Sequence, residues 1–189
     1  MEPLQLLSRS RAQFESRLAA VRGEDLGRPT PCPGWDVATL VAHVINGDRM
    51  AIALLDGASV EESLSGFRPV GPDDDAVKLF AAVGTELDQR FAQPGALERV
   101  VHHPVGDVPG GMLLGFRAGD RTYHAWDLAR ATGQDETLDN DVVAGLWAIA
   151  VPNADRLKAS GMFGEGASGN VGEDATLQVR LLDLVGRRP

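Results

Sequence analysis

The sequence predicts an all-α protein: a four-helix bundle with a crossover connection, plus a short C-terminal helix. Three observations carry this. Long segments repeat apolar side chains at helical spacing, no stretch alternates convincingly as a strand, and the connections between segments are unequal in length. Long connections argue against a simple up-down hairpin bundle and leave room for a crossover. The 189 residues suffice for one domain with a sizeable core, read as a single domain over 1–189.

The first helix spans about 4–22, with Leu4, Leu7, Phe14, Leu18 and Val21 at helical intervals and Gly23 as its stop. Residues 24–35, EDLGRPTPCPGW, hold three prolines and two glycines and read as a rigid loop. Asp36 caps the second helix, VATLVAHVINGDRMAIALL, and Trp35 with Leu40 fits a hydrophobic staple. Residues 56–74 read as a polar loop. The third helix covers 75–93, with Val77, Phe80, Leu87 and Phe91 on one face, the acidic run Asp73–Asp75 at its start and Pro94 at its stop. Residues 95–111 read as irregular, with one short extended run at most, Arg99–His102. The fourth helix spans about 112–132 and closes at Gly133. The fifth covers about 139–158 with a kink or break expected near Val151, because Pro152 sits inside it. A glycine-rich stretch, 159–173, precedes a last short helix at about 175–185.

Composition narrows the function. The 27 acidic and 18 basic side chains give a formal charge of −9, without the basic cluster that nucleic acid or an anionic membrane surface requires. No apolar run approaches the roughly 20 residues of a membrane span, and the N-terminus lacks a signal-peptide core. A cytoplasmic protein acting on a small molecule is expected, and the apolar bundle surface leaves room for a homodimer. One cysteine, Cys32, excludes an internal disulfide and a cysteine-based zinc site. Between two prolines it reads as a small buried hydrophobe.

The fourth helix raises the functional question. On a helical wheel Leu113, Phe116, Asp120, His124, Asp127 and Ala131 share one stripe. Leu113 and Phe116 point that stripe inward, which carries Asp120 and His124 into the interior, where an unpaired carboxylate is costly. One reading is an Asp–His hydrogen bond across one turn. The other is a metal site, since residues four apart can reach one ion. His43, on a second, largely apolar face of the second helix beside Gly47, is the third candidate. His43, Asp120 and His124 would supply two imidazoles and one carboxylate and leave a coordination position open. Asp127 would orient a ligand, or bond to backbone or an arginine. His102 and His103 precede a proline and read as solvent-facing. Trp126 and Trp147 read as packing residues.

Three segments, TPCPGWDVATLVAHV (30–44), YHAWDLARATGQ (123–134) and LLDLVGRRP (181–189), together resemble the DinB/YfiT-like metalloenzyme superfamily. The resemblance is to its actinobacterial group related to the N-terminal domain of mycothiol-dependent maleylpyruvate isomerase. It implies a four-helix bundle with a crossover and a divalent metal (Zn, Ni, Fe or Mn) held by His43, Asp120 and His124. It also implies mycothiol as thiol cosubstrate, with the metal lowering the thiol's pKa for transfer to, or isomerisation of, a small electrophile. A metal-dependent hydrolase and a non-catalytic metal- or ligand-binding bundle are the alternatives on the same residues. Two departures stand out. The family pattern has Glu where this chain has Asp120, one methylene shorter, and the isomerase's additional C-terminal domain has no counterpart in the short stretch after the fifth helix.

Overall fold

The structure, a computed structural model, describes residues 1–159, 161, 163 and 166–189. They cluster into two compact units, Glu2–Thr137 and Leu138–Pro189.

The larger unit is a bundle of four long helices: α1 (Pro3–Leu18), α2 (Val37–Leu55), α4 (Ala76–Phe91) and α5 (Gly110–Thr132), with a short α3 (Val60–Ser65) between α2 and α4. Around the bundle α1 packs on α4 and α5, and α2 packs on the same two. Consecutive helices α1 and α2 are therefore not principal neighbours, and neither are α4 and α5. Their connections must cross the ends of the bundle, which is why they are long.

Local signals set the helix ends. The Asp36 carboxylate accepts from the Thr39 N–H at 2.8 Å to cap α2, and Asp75 accepts from the Lys78 N–H at 3.0 Å to cap α4. Gly133 closes α5 in the left-handed conformation, φ 71°. The fully buried Leu54, Leu87 and Leu113, from three different helices, meet in the core, and the Phe14 ring of α1 packs tilted against Phe80 of α4 with centroids 4.9 Å apart.

Two connections hold more structure than the sequence reading expected. The stretch expected to be a polar loop contains α3, opened by a capping box in which the Ser59 hydroxyl and the Glu62 carboxylate satisfy each other's backbone N–H groups. The segment expected to be irregular is an antiparallel hairpin, β1 (Val100–His103) with β2 (Gly106–Pro109). Only Val101 and Val108, paired across it, turn inward, so the alternation is too short to register as a strand pattern. By length and composition α2 could cross a bilayer. Here it is a core helix that packs on α4 and α5 and buries Asp48 against them.

That burial is the most demanding feature of the bundle. Asp48 of α2 is fully buried and accepts from Arg117 Nε at 2.9 Å and from Arg121 Nε and Nη2 at 3.2 and 2.8 Å. Both arginines belong to α5 and are themselves buried. Arg121 Nη1 lies 4.0 Å from Asp88 of α4, and Arg11 Nε of α1 lies 3.3 Å from the same carboxylate. Burial pushes the Asp88 carboxyl up, against the pull of Arg11 and Arg121.

In the smaller unit, α6 (Asn140–Ala150) ends at a 3₁₀ turn over Val151–Asn153, and α7 (Ala154–Ala159) follows. The break falls at Pro152, as a missing N–H requires. Then α8 (Leu177–Leu184) packs on α6, and Arg180 lies over the Trp147 ring at 4.7 Å. Four positions of the glycine-rich stretch 159–173 lie outside the described residues.

Asp48→Asn should unfold the bundle readily, because it leaves two buried guanidinium groups without their shared counter-charge. A loss of about 3–5 kcal/mol is expected in urea denaturation.

Candidate metal centre

The candidate residues come from two facing helices and one crossing loop. On α5, Asp120 and His124 are one turn apart, and His43 projects from α2 opposite them. Asp120 Oδ1 lies 3.1 Å from His43 Nε2 and 3.5 Å from His124 Nε2. The His43 and His124 rings meet edge to face with centroids 5.0 Å apart. The structure thus brings together all three residues that the sequence singled out, with one ligand atom from each within 4.8 Å of the others.

The spacing can be tested against a metal. Zinc–ligand bonds of about 2.0–2.2 Å place neighbouring donors of a tetrahedral site roughly 3.4 Å apart. The 3.1 and 3.5 Å separations straddle that value, so the position of Asp120 Oδ1 fits such an ion. Two imidazoles and a carboxylate suit a borderline divalent ion.

Around the trio lies a supporting layer. His124 Nδ1–H donates to Asp127 Oδ2 at 2.9 Å, and Asp127 is fully buried. This is the carboxylate–imidazole arrangement that fixes a ligating histidine's tautomer and leaves Nε2 facing the trio. Of the contacts open to Asp127, the one to His124 is present.

The crossing loop between α1 and α2 contributes two residues that the sequence reading did not place here. The loop is tied to itself: Thr30 Oγ1 donates to the Trp35 carbonyl at 3.0 Å, the Trp35 N–H to the Cys32 carbonyl at 3.0 Å, and Pro29 bridges to Asp36. Gly34, at φ 79°, makes the turn between them. The Trp35 ring lies 4.7 Å from His43 and is stacked on His124 at 5.8 Å. Cys32 Sγ donates to Asp127 Oδ2 at 3.3 Å and sits 3.9 Å from His124 Nδ1. Cys32 is half-buried rather than a core hydrophobe, and nothing short of the tertiary fold relates it to a histidine 92 residues away.

A third residue escaped the sequence reading as well. Arg117 Nη2 approaches Asp120 Oδ2 at 3.1 Å, one turn before it on α5. That (i, i+3) spacing was available in the sequence. His103 is half-buried against Phe116 at 5.2 Å, and burial, with Arg117 nearby, holds its imidazole below the usual range. His102, by contrast, is solvent-facing as expected and pairs with Asp107 at 2.7 Å. Trp126 is a packing residue, 1% exposed under Arg130.

The electrostatics follow from these contacts. Burial opposes the charged form of Asp120, but the Arg117 guanidinium and the two histidines outweigh it and hold the carboxyl well below the usual range. Burial likewise opposes the His124 imidazolium. The Asp120 charge, with hydrogen bonds to Asp120, Asp127 and Cys32, outweighs it and raises the imidazole well above 6.5.

Comparison with known proteins gives the family and the fold. Residues 7–129 match the model of the mycothiol maleylpyruvate isomerase N-terminal domain. The chain belongs to that family. Two uncharacterised proteins of Mycobacterium tuberculosis, from strains CDC 1551 and H37Rv, are each 34% identical over 150 residues, which is 79% of this chain and 78% of theirs. Among solved structures, the mycothiol-dependent maleylpyruvate isomerase superposes with a TM-score of 0.64 at 19% identity, over 82% of this chain and 71% of that one. A histidine-to-alanine mutant of the same isomerase gives 0.65 over 84% and 71%. At that identity the likeness shows the fold alone, an all-α DinB-like bundle, which in this chain carries a short two-stranded hairpin.

The pKa shifts fix a pH dependence for chelator-treated protein. Asp120, lowered on folding, stabilises above its unfolded value near 3.9, and this is lost as pH falls through the folded pKa. His124, raised on folding, stabilises fully below about 6.5, and this is lost as pH rises through its folded pKa. Melting temperature should therefore decline as pH is raised beyond about 6.5, and His124→Gln should flatten that decline. A flat wild-type profile would rule out the ion pair.

Proposed function

We propose that this protein binds one divalent metal ion through His43, Asp120 and His124 and uses it to activate a low-molecular-weight thiol of the mycothiol kind. The thiol would then be transferred to a small electrophile or assist its isomerisation. The single observation that carries the reading is the position of Asp120 Oδ1, within 3.1 and 3.5 Å of two imidazole Nε2 atoms on facing sides. Family membership supports the thiol, since the family's model and the solved relative are both named for mycothiol-dependent maleylpyruvate isomerase.

When bound, the ion would supply Lewis acidity that favours the thiolate at neutral pH. The chain's own residues do the rest. Asp127 keeps the proton of His124 on Nδ1, so Nε2 is the atom offered to the trio. Trp35 packs against both imidazoles, stacked on His124 and tilted to His43. The imidazolium character of His124 in metal-free protein means that binding would release a proton.

Metal uptake tests this. Chelator-treated protein without a histidine tag should take up about one equivalent of Zn, Ni, Mn or Fe and gain thermal stability. His43→Ala, Asp120→Ala and His124→Ala should each abolish that gain, and Asp127→Ala should weaken affinity by about 10–100-fold. No stoichiometric uptake by the wild type would end the metal reading. Millimolar mycothiol should raise the melting temperature of the metal-loaded form and leave the chelated form unchanged. If neither form responds, the thiol assignment fails.

A further inference from the structure

Arg117 is, among the described residues, the charged group at the trio that the activation chemistry does not use, and its surroundings are specific. Its Nε donates to Asp48 Oδ1 at 2.9 Å and its Nη2 to the Val44 carbonyl at 3.0 Å, both on α2. The same Nη2 lies 3.1 Å from Asp120 Oδ2. The guanidinium lies flat against α2 where Gly47 has no side chain. A Cβ there would stand 2.7 Å from Cζ and from Nη2, closer than real Cβ atoms come. Gly47 sits in mid-helix, where glycine costs about 1 kcal/mol relative to alanine, so the gap has a use. Asp120 Oδ2 is meanwhile sealed from solvent with no aligned hydrogen bond. The guanidinium charge is its partner, and the other oxygen, Oδ1, is the one that faces both histidines.

We propose that Arg117, seated in the Gly47 gap, is a positioning residue: it holds Asp120 Oδ2 and so presents Oδ1 alone to the metal. It also sets the α2-to-α5 spacing at which His43 and Asp120 meet. The carboxylate is then a one-oxygen ligand, which keeps coordination low and a position open for the thiol. This rests on the metal reading above, and charge makes it decidable. A bare cation beside the ion would only repel it, so on charge alone losing Arg117 would tighten binding. Positioning requires the opposite.

The test uses Gly47→Ala, which keeps every charged group, together with Arg117→Met. Arg121→Met is the control, because it disturbs the same buried network without touching Asp120. Affinity for Zn and the visible spectrum of the Co(II) form are measured for each. Gly47→Ala and Arg117→Met should weaken Zn binding at least tenfold and change the Co(II) spectrum, which reports coordination number. Arg121→Met should lower thermal stability yet leave both readouts near wild type. Unchanged or tighter binding in Gly47→Ala and Arg117→Met, or an equal loss in Arg121→Met, would overturn the proposal. A double-mutant cycle of Arg117→Met with Asp120→Asn, read by urea denaturation of chelated protein, needs no metal. Non-additivity is expected, and additivity would also overturn the proposal. If the wild type takes up no metal, the metal reading fails by itself, and the cycle decides whether Arg117 holds Asp120.

Discussion

The buried carboxylate of Asp48 is the constraint on which the bundle turns. It stands on α2 and accepts three hydrogen bonds from Arg117 and Arg121 of α5. Buried ion pairs of this kind are weak evidence for net stability, since desolvation offsets much of the attraction. Their effect is on specificity. A slip of α2 against α5 would strand these buried charges, which disfavours other registers. Here the register that satisfies Asp48 is also the one that sets His43 opposite Asp120.

From Asp48 the charges alternate outward in both directions. Arg117 leads to Asp120 and the histidines, while Arg121 leads to Asp88, which Arg11 also reaches. All four long helices contribute to this line. The candidate metal centre is one end of a network that also fastens the helices, so a mutation at Arg117 or Asp120 is expected to be felt in folding as well. That coupling is why the tests above pair affinity with measurements on chelated protein.

The crossing loop between α1 and α2 shows the same economy. Its prolines and Gly34 shape a turn tied by the Thr30 side chain. The loop starts α2 at the Asp36 cap and in the same few residues delivers Trp35 and Cys32 to opposite parts of His124. The helix-entry role of PCPGW was readable from the residues alone. Its place in the site was not, because the histidine it serves lies some ninety residues further along the chain and no local pattern links the two.

The sequence by itself determined the long helices, several of their ends and the three side chains that the fold brings together. Each of these depends on periodicity or on side-chain chemistry within a turn or two: Asp36 before an apolar run, Gly133 after one, Asp120 and His124 one turn apart on a buried stripe. Even the capping box Ser59–Glu62 and the Arg117–Asp120 spacing were legible there, though passed over. Only the tertiary structure decided which arginines are buried, that Val101 and Val108 pair in a hairpin, that Gly47 makes room for a guanidinium, and that Cys32 and Trp35 belong to His124. These are contacts between helices and loops far apart in the chain. Periodicity says which face of a helix turns inward, but not what it meets there.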